Sequence, residues 1–210
     1  MADKKLPNEK EVTRLLDSYR LPSYLKDHSE KVKEVVLYLA RELNNKGEDY
    51  DLNLLEVAAR LHDLAKPFFF QELDVEGKEQ ISCDEDLRID FEFWFEHKKE
   101  YAGSDHCEVA SDILKEYQRL AEIVRNHSPK QILREELSKE AVLLNYVDKR
   151  VQGDKVVSLS KRFDYIKAKY DLGKISPEIS GKYQEIETEI FSKLGFKPEE
   201  LKERIEQNGR

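Results

Sequence analysis

The run Leu61-His62-Asp63-Leu64-Ala65-Lys66 constrains this chain more than any other. From Asp51 onward Leu54, Leu55, Ala58, Leu61 and Ala65 recur at helical spacing, and His62 falls on the same apolar stripe. A helix whose inward face ends in an imidazole, with a carboxylate beside it, has set two ionisable groups where hydrocarbon belongs. Burying even an uncharged polar group without a partner costs roughly 2–7 kcal/mol. The fold must supply a partner, and a metal ion is one obvious candidate.

The same habit recurs along the chain. Asp27 followed by Glu30 predicts a capped helix running to about Asn44, with Val32, Val35, Val36, Leu39, Ala40 and Leu43 inward. His28 lies four residues before Val32, in the first turn of that face. Ser104 or Asp105 caps a helix to about Tyr117, where Val109, Ala110, Ile113 and Leu114 share a face with His106. A short helix carrying Leu120, Ile123 and Val124 ends at His127 and is closed by Pro129. Ser138 caps another with Ala141, Leu144 and Val151 inward, and Asp148 stands four residues after Leu144.

A single histidine on an apolar face is more often a hydrogen-bonded core residue than a ligand. Four of the chain's five histidines in such positions, joined by two aspartates, change that reading. His97, in an irregular stretch, is expected to face solvent. With nitrogen and oxygen donors and no thiolate, the set His28, His62, Asp63, His106, His127 and Asp148 suits manganese, iron, cobalt, nickel, magnesium or zinc. Six ligands exceed what one ion needs if it keeps a position open for water. Two ions bridged by Asp63 account for the number.

The remainder reads as helix too: residues 9–19, about 84–99, around 158–171, Pro177 to Leu194 stopped by Gly195, and a last helix after Pro198. No segment reads as a persuasive strand. Residues 68–103 are the least regular, with Phe68, Phe69, Phe70, Phe91, Phe93, Trp94, Phe95 and Tyr101 set among acids. They either pack a lid onto the core or stack on a nucleobase, and packing is the plainer reading. With 38% charged residues, eight glycines and six prolines, the composition is that of a helix-rich all-α protein. A net charge of −8 argues against a dedicated nucleic-acid or membrane surface. No apolar run approaches the roughly 20 residues that span a bilayer, and the first residues lack a signal peptide's apolar core, so the cytoplasm is the expected location. Cys83 and Cys107 fit no zinc-type pair spacing and read as reduced, partly buried thiols.

His28, then His62-Asp63, then Asp148 resembles the pattern of the HD-domain superfamily of metal-dependent phosphohydrolases, and His106 and His127 resemble its binuclear branch. The likeness extends to His28-Ser29, to Ala58-Ala59-Arg60-Leu61 before the pair, to Lys66, and to Tyr146-Val147-Asp148-Lys149-Arg150-Val151. Val157-Ser158-Leu159 before Arg162-Phe163 also fits the small bacterial members. Leu64-Ala65 stands where the family commonly has Ile-Gly, and the gap from Lys66 to His106 is long. The resemblance implies one all-helical HD domain over residues 1–210. Its core would cover about 20–170, with an aromatic lid region at 68–103 and C-terminal helices at 177–207. It implies metals at the centre: Asp63 bridging, His28, His62 and Asp148 filling one site, His106 and His127 the other. Lys66 would offset phosphate charge from a free position at the mouth, while surface roles are expected for Arg125 and Arg150. The implied activity is hydrolysis of a nucleotide or another small phosphate ester by a metal-activated hydroxide. A mixed-valent di-iron oxygenase resembling myo-inositol oxygenase, and a non-catalytic nucleotide-binding module, are the alternatives. Substrate identity and oligomeric state are not legible.

Overall fold

The longest apolar stripe builds the longest helix. In the computed structural model, which describes residues 5–70, 85–170 and 175–208, helix α2 (Ser23–Asn44) buries Val32, Val35, Val36, Leu39, Ala40 and Leu43 as their spacing predicts. It begins five residues earlier than the Asp27–Glu30 pair suggests, with Pro22 rather than Asp27 as the N-cap. Pro22, with φ of −59°, already holds the backbone angle that a helix needs, and Leu25 anchors the opening turn in the core. Asp27 is therefore inside the helix, and His28 sits in its second turn.

Before α2, helix α1 (Glu9–Ser18) is opened by a reciprocal cap between Asn8 and Glu11. After it, α3 (Leu52–Leu61) is capped by Asp51 and packs along α2. Its stripe of Leu54, Leu55, Ala58 and Leu61 is fully buried. The helix stops at Leu61, short of the HD pair. Pro67 accounts for this, because its ring would clash with the carbonyl of residue 63 in a continuing α-helix. The chain tightens instead, with Lys66 N–H bonded to Asp63 O at 2.9 Å, and continues as a 3-10 turn over Lys66–Phe69.

Helix α4 (Glu85–Glu100) lies against that turn. Helix α5 (His106–Ile113) has a reciprocal cap between Asp105 and Glu108 and ends four residues before the Tyr117 expected from sequence. It packs on α6 (Gln118–Arg125), and a 3-10 turn at Pro129–Leu133 leads to α7 (Lys139–Asp148), capped by Ser138. Val151 is buried, but not on that helix. It belongs to a two-stranded antiparallel hairpin, β1 (Val151–Gln152) and β2 (Lys155–Val156), which the sequence reading missed. Gly153, at φ of 58°, turns the hairpin.

Helices α8 (Leu159–Tyr170), α9 (Pro177–Leu194) and α10 (Leu201–Asn208) follow. Gly195 ends α9 in the left-handed region at φ of 76°, as its position predicts. The fold is all-α, with ten α-helices among the described residues and the small hairpin as an accessory. No helix among them is long and apolar enough to cross a membrane.

Candidate metal centre

Helix ends, more than helix faces, deliver the polar groups. His62 caps the C-terminus of α3, and His127 lies two residues beyond α6. Each turns its Nδ1 back to a last-turn carbonyl three residues earlier: Ala59 O at 2.7 Å and Val124 O at 2.5 Å. His28 is held similarly from α2, with Nδ1 3.0 Å from Gly153 O of the hairpin. A carbonyl has no proton to offer, so Nδ1 carries the hydrogen in all three rings, and Nε2 is left to face inward. Asp148 is the last residue of α7 and His106 the first of α5.

The structure brings all six sequence-predicted residues together around Asp63, which is 1% exposed. The two oxygens of Asp63 face different histidines. Oδ2 lies 3.5 Å from His62 Nε2 and 4.0 Å from His28 Nε2. Oδ1 lies 3.5 Å from His127 Nε2 and 3.7 Å from His106 Nε2. On the first side Asp148 Oδ1 completes the cluster, 3.1 Å from His28 Nε2 and 3.8 Å from His62 Nε2.

Such a cluster fits a cation. In a neutral ring with Nδ1 protonated, Nε2 is a bare lone pair, here set against carboxylate oxygens. Two acceptors face each other at His28–Asp148 and at His62–Asp63, and only a positive charge between them is stabilising. His62 Nε2 is fully buried and has no hydrogen-bond partner. Protonating every ring is a poor alternative. Successive ring centroids along the series His28, His62, His127, His106 are 5.5, 5.1 and 5.2 Å apart, and adjacent imidazoliums would repel.

Lysines balance the carboxylates. Against the cost of burial, the Lys66 ammonium and the flanking histidines hold Asp63 well below the usual carboxylate range. Lys149, next in sequence and buried, does the same for Asp148, helped by His28 and His62. Burial and the neighbouring His127 push the His106 imidazole down to about 3. His127 is held up at about 9 despite its burial, by Cys107 and by the bond to Asp63.

Several expectations need correction. Lys66 does not project freely from the mouth; its Nζ lies 2.5 Å from Asp63 Oδ2, drawn there by the buried carboxylate. Cys107, which the sequence reading left outside the cluster, lies within it. Cys107 is 1% exposed, and its Sγ lies 3.4 Å from His106 Nε2 and 3.5 Å from His127 Nε2. His97 does not simply face solvent. It is half-buried among aromatic rings, 4.0 Å from the Phe93 centroid and 5.4 Å from that of Phe68. Arg150 is not a surface residue. It is 3% exposed and joins Tyr146, Glu187, Val157 O and Pro198 O into one network. Arg125 is exposed, 3.6 Å from Glu108.

Sequence reasoning missed Lys149 and Arg162, the latter 4.0 Å from Asp148 Oδ1 with its Nε buried and unbonded. A lysine directly after an inward aspartate at a helix end was the available signal. Among the aromatics, Phe68 and Trp94 are core residues, and Trp94 Nε1 donates to Tyr19 O at 3.1 Å. Phe69 reaches the centre, 6.4 Å from the His106 ring. The stretch 71–84, with Cys83, lies outside the described residues.

A helical bundle that gathers imidazoles and carboxylates at the ends of separate helices defines a class of metal-centre protein. The sequence narrows that class: the HD domain profile matches residues 25–151, more than half of the chain, and the chain belongs to that family. The match encloses all six clustered residues. No curated protein and no solved structure matches the chain.

Proposed function

We propose that the protein is a phosphohydrolase that uses two divalent ions to cleave a nucleotide or another small phosphate ester. The observation that supports this most is the division of Asp63, whose Oδ1 and Oδ2 serve different histidine groups at similar distances. Asp63 Oδ2, His28, His62 and Asp148 would hold one ion, and Asp63 Oδ1, His106 and His127 the other. Such ions, when bound, supply a water of lowered pKa and a Lewis acid for a phosphoryl oxygen.

The chain's own residues set up the rest. The Nδ1 bonds of His28, His62 and His127 fix tautomer and orientation, so the cluster is formed in advance of binding. Lys66, Lys149 and Arg162 place positive charge at the two carboxylates. Lys66, with a quarter of its side chain exposed, is the one we assign to substrate phosphate. The burial of His28, His62, Asp63, His127 and Asp148 strengthens the interactions among them.

The test is a screen of nucleotides and generic phosphoesters against metal-free protein reloaded with manganese, iron, cobalt, nickel, magnesium or zinc in turn. Phosphate release with at least one ion is the expected result. Oxygen uptake confined to the iron form, without phosphate release, would assign the centre to redox chemistry instead.

A further inference from the structure

We propose that Cys107 is a ligand of the second ion, which makes that position a mixed histidine, carboxylate and thiolate site. The inference rests on the metal-centre reading above and adds a donor to it. It starts from position. Cys107 follows His106 at the opening of α5, where the Asp105 side chain accepts its backbone N–H at 2.9 Å.

Distances carry the argument further. Tetrahedral zinc, with Zn–S of about 2.3 Å and Zn–N of about 2.0–2.1 Å, separates a sulfur and a nitrogen ligand by about 3.5 Å. Cys107 Sγ lies 3.4 Å from His106 Nε2 and 3.5 Å from His127 Nε2. Asp63 Oδ1, at 3.5 and 3.7 Å from the same two nitrogens, is near the about 3.4 Å expected for an oxygen and a nitrogen on one such ion. Donor atoms of His106, Cys107 and His127 lie within 4.8 Å of one another, and so, separately, do those of His28, His62 and Asp63. The two halves of the centre therefore differ in chemistry. One offers nitrogen and oxygen only; the other adds a soft sulfur. Binding would exchange the thiol proton for the metal–sulfur bond, the proton leaving to solvent. A soft donor biases this position toward zinc, cobalt or ferrous iron over magnesium and manganese.

The test loads metal-free full-length protein with cobalt(II), counts bound ions by elemental analysis, and records the electronic spectrum. A near-ultraviolet thiolate-to-cobalt charge-transfer band is expected in the wild type and in Cys83→Ser, and it should vanish in Cys107→Ser. Zinc affinity at the second position should fall in Cys107→Ser by more than the roughly 10–100-fold cost of losing an outer partner. Manganese affinity should fall less. Two bound cobalt ions with no thiolate band in the wild type would overturn the role of Cys107 and leave the binuclear reading standing. A band lost in Cys83→Ser but kept in Cys107→Ser would overturn it equally. Failure of the wild type to bind cobalt at all would overturn both. Because the wild-type spectrum decides the matter, a variant that fails to fold does not rescue the idea.

Discussion

Replacing Asp63 by Asn tests whether one carboxylate serves two ions. The substitution keeps the size of the side chain and removes its charge, at a position 1% exposed with four imidazole nitrogens within 4.0 Å. A ligand at a thousand times its Kd stabilises the folded state by about 4.1 kcal/mol, so two ions contribute about 8 kcal/mol. At roughly 2–4 °C per kcal/mol for a chain of this size, saturating metal should raise the wild-type Tm by about 16–32 °C. Asp63→Asn should lose nearly all of that shift, because neither oxygen retains the charge that either ion requires. His106→Ala should lose about half, since its Nε2 approaches Oδ1 alone. In the metal-free protein Asp63→Asn should cost far less, because the Lys66 side chain is already 25% exposed and can turn to solvent. The assay is thermal unfolding with and without metal, paired with bound-metal stoichiometry. An Asp63→Asn protein that keeps the full metal-induced shift refutes the shared carboxylate. A His106→Ala protein that loses the entire shift refutes the division into two sites.

Other outcomes follow from the same contacts. Lys66→Met should leave metal stoichiometry intact and lower kcat by roughly 10²–10³-fold if its charge meets the phosphoryl group, as steady-state kinetics on an identified substrate would show. Arg150→Met should leave metal binding intact but destabilise the fold by about 3–5 kcal/mol, stranding the Glu187 carboxylate that Arg150 now holds at 2.6 Å. A calorimetric Tm lowered by roughly 6–20 °C would agree with this. The metal-free protein should be most stable near the ordinary histidine pKa, about 6.5. His106, depressed to about 3, costs stability as pH falls below that point, and the lowered Asp63 and Asp148 add to the loss once pH falls through the carboxylate range. His127, raised to about 9, costs stability as pH rises from about 6.5 toward 9. Saturating metal should abolish the alkaline limb, since a cation then takes the place of the His127 proton. Melting curves across pH with and without metal check both limbs.

Periodicity and breakers made most of the fold legible. The buried stripes of α2 and α3, the Ser138 cap and the Pro177–Gly195 limits of α9 all follow from local chemistry. The errors lie where tertiary contacts, or a signal of only two residues, decide. The Gly153-Asp154 turn is long enough to reverse the chain and too short to give a strand pattern, so the hairpin that holds His28 went unread. Cys107 was passed over because zinc-type cysteine motifs are recognised by pairs, whereas here the partners are histidines from the same helix end and from beyond α6. Arg150 and Lys149 look like surface charges in a highly charged chain, and only the three-dimensional placement of Glu187 and Asp148 shows why they are buried.

The way each ring is held explains why the centre sits where helices stop. A helix leaves its last carbonyls without intrahelical donors, and a buried carbonyl without a partner is costly. His62 and His127 each direct an Nδ1–H to such a carbonyl three residues back, which helps satisfy the helix end and fixes the tautomer in one bond. The opposite nitrogen is then obliged to point beyond the helix, toward whatever the next element brings. Pro67 stands close behind the His62–Asp63 pair and keeps the α-helix from running on through it. Helix-breaking residues close behind an inward histidine, as in His62 to Pro67 and His127 to Pro129, thus perform a site-building task. They convert the polar debt of a helix terminus into a fixed, inward-facing lone pair.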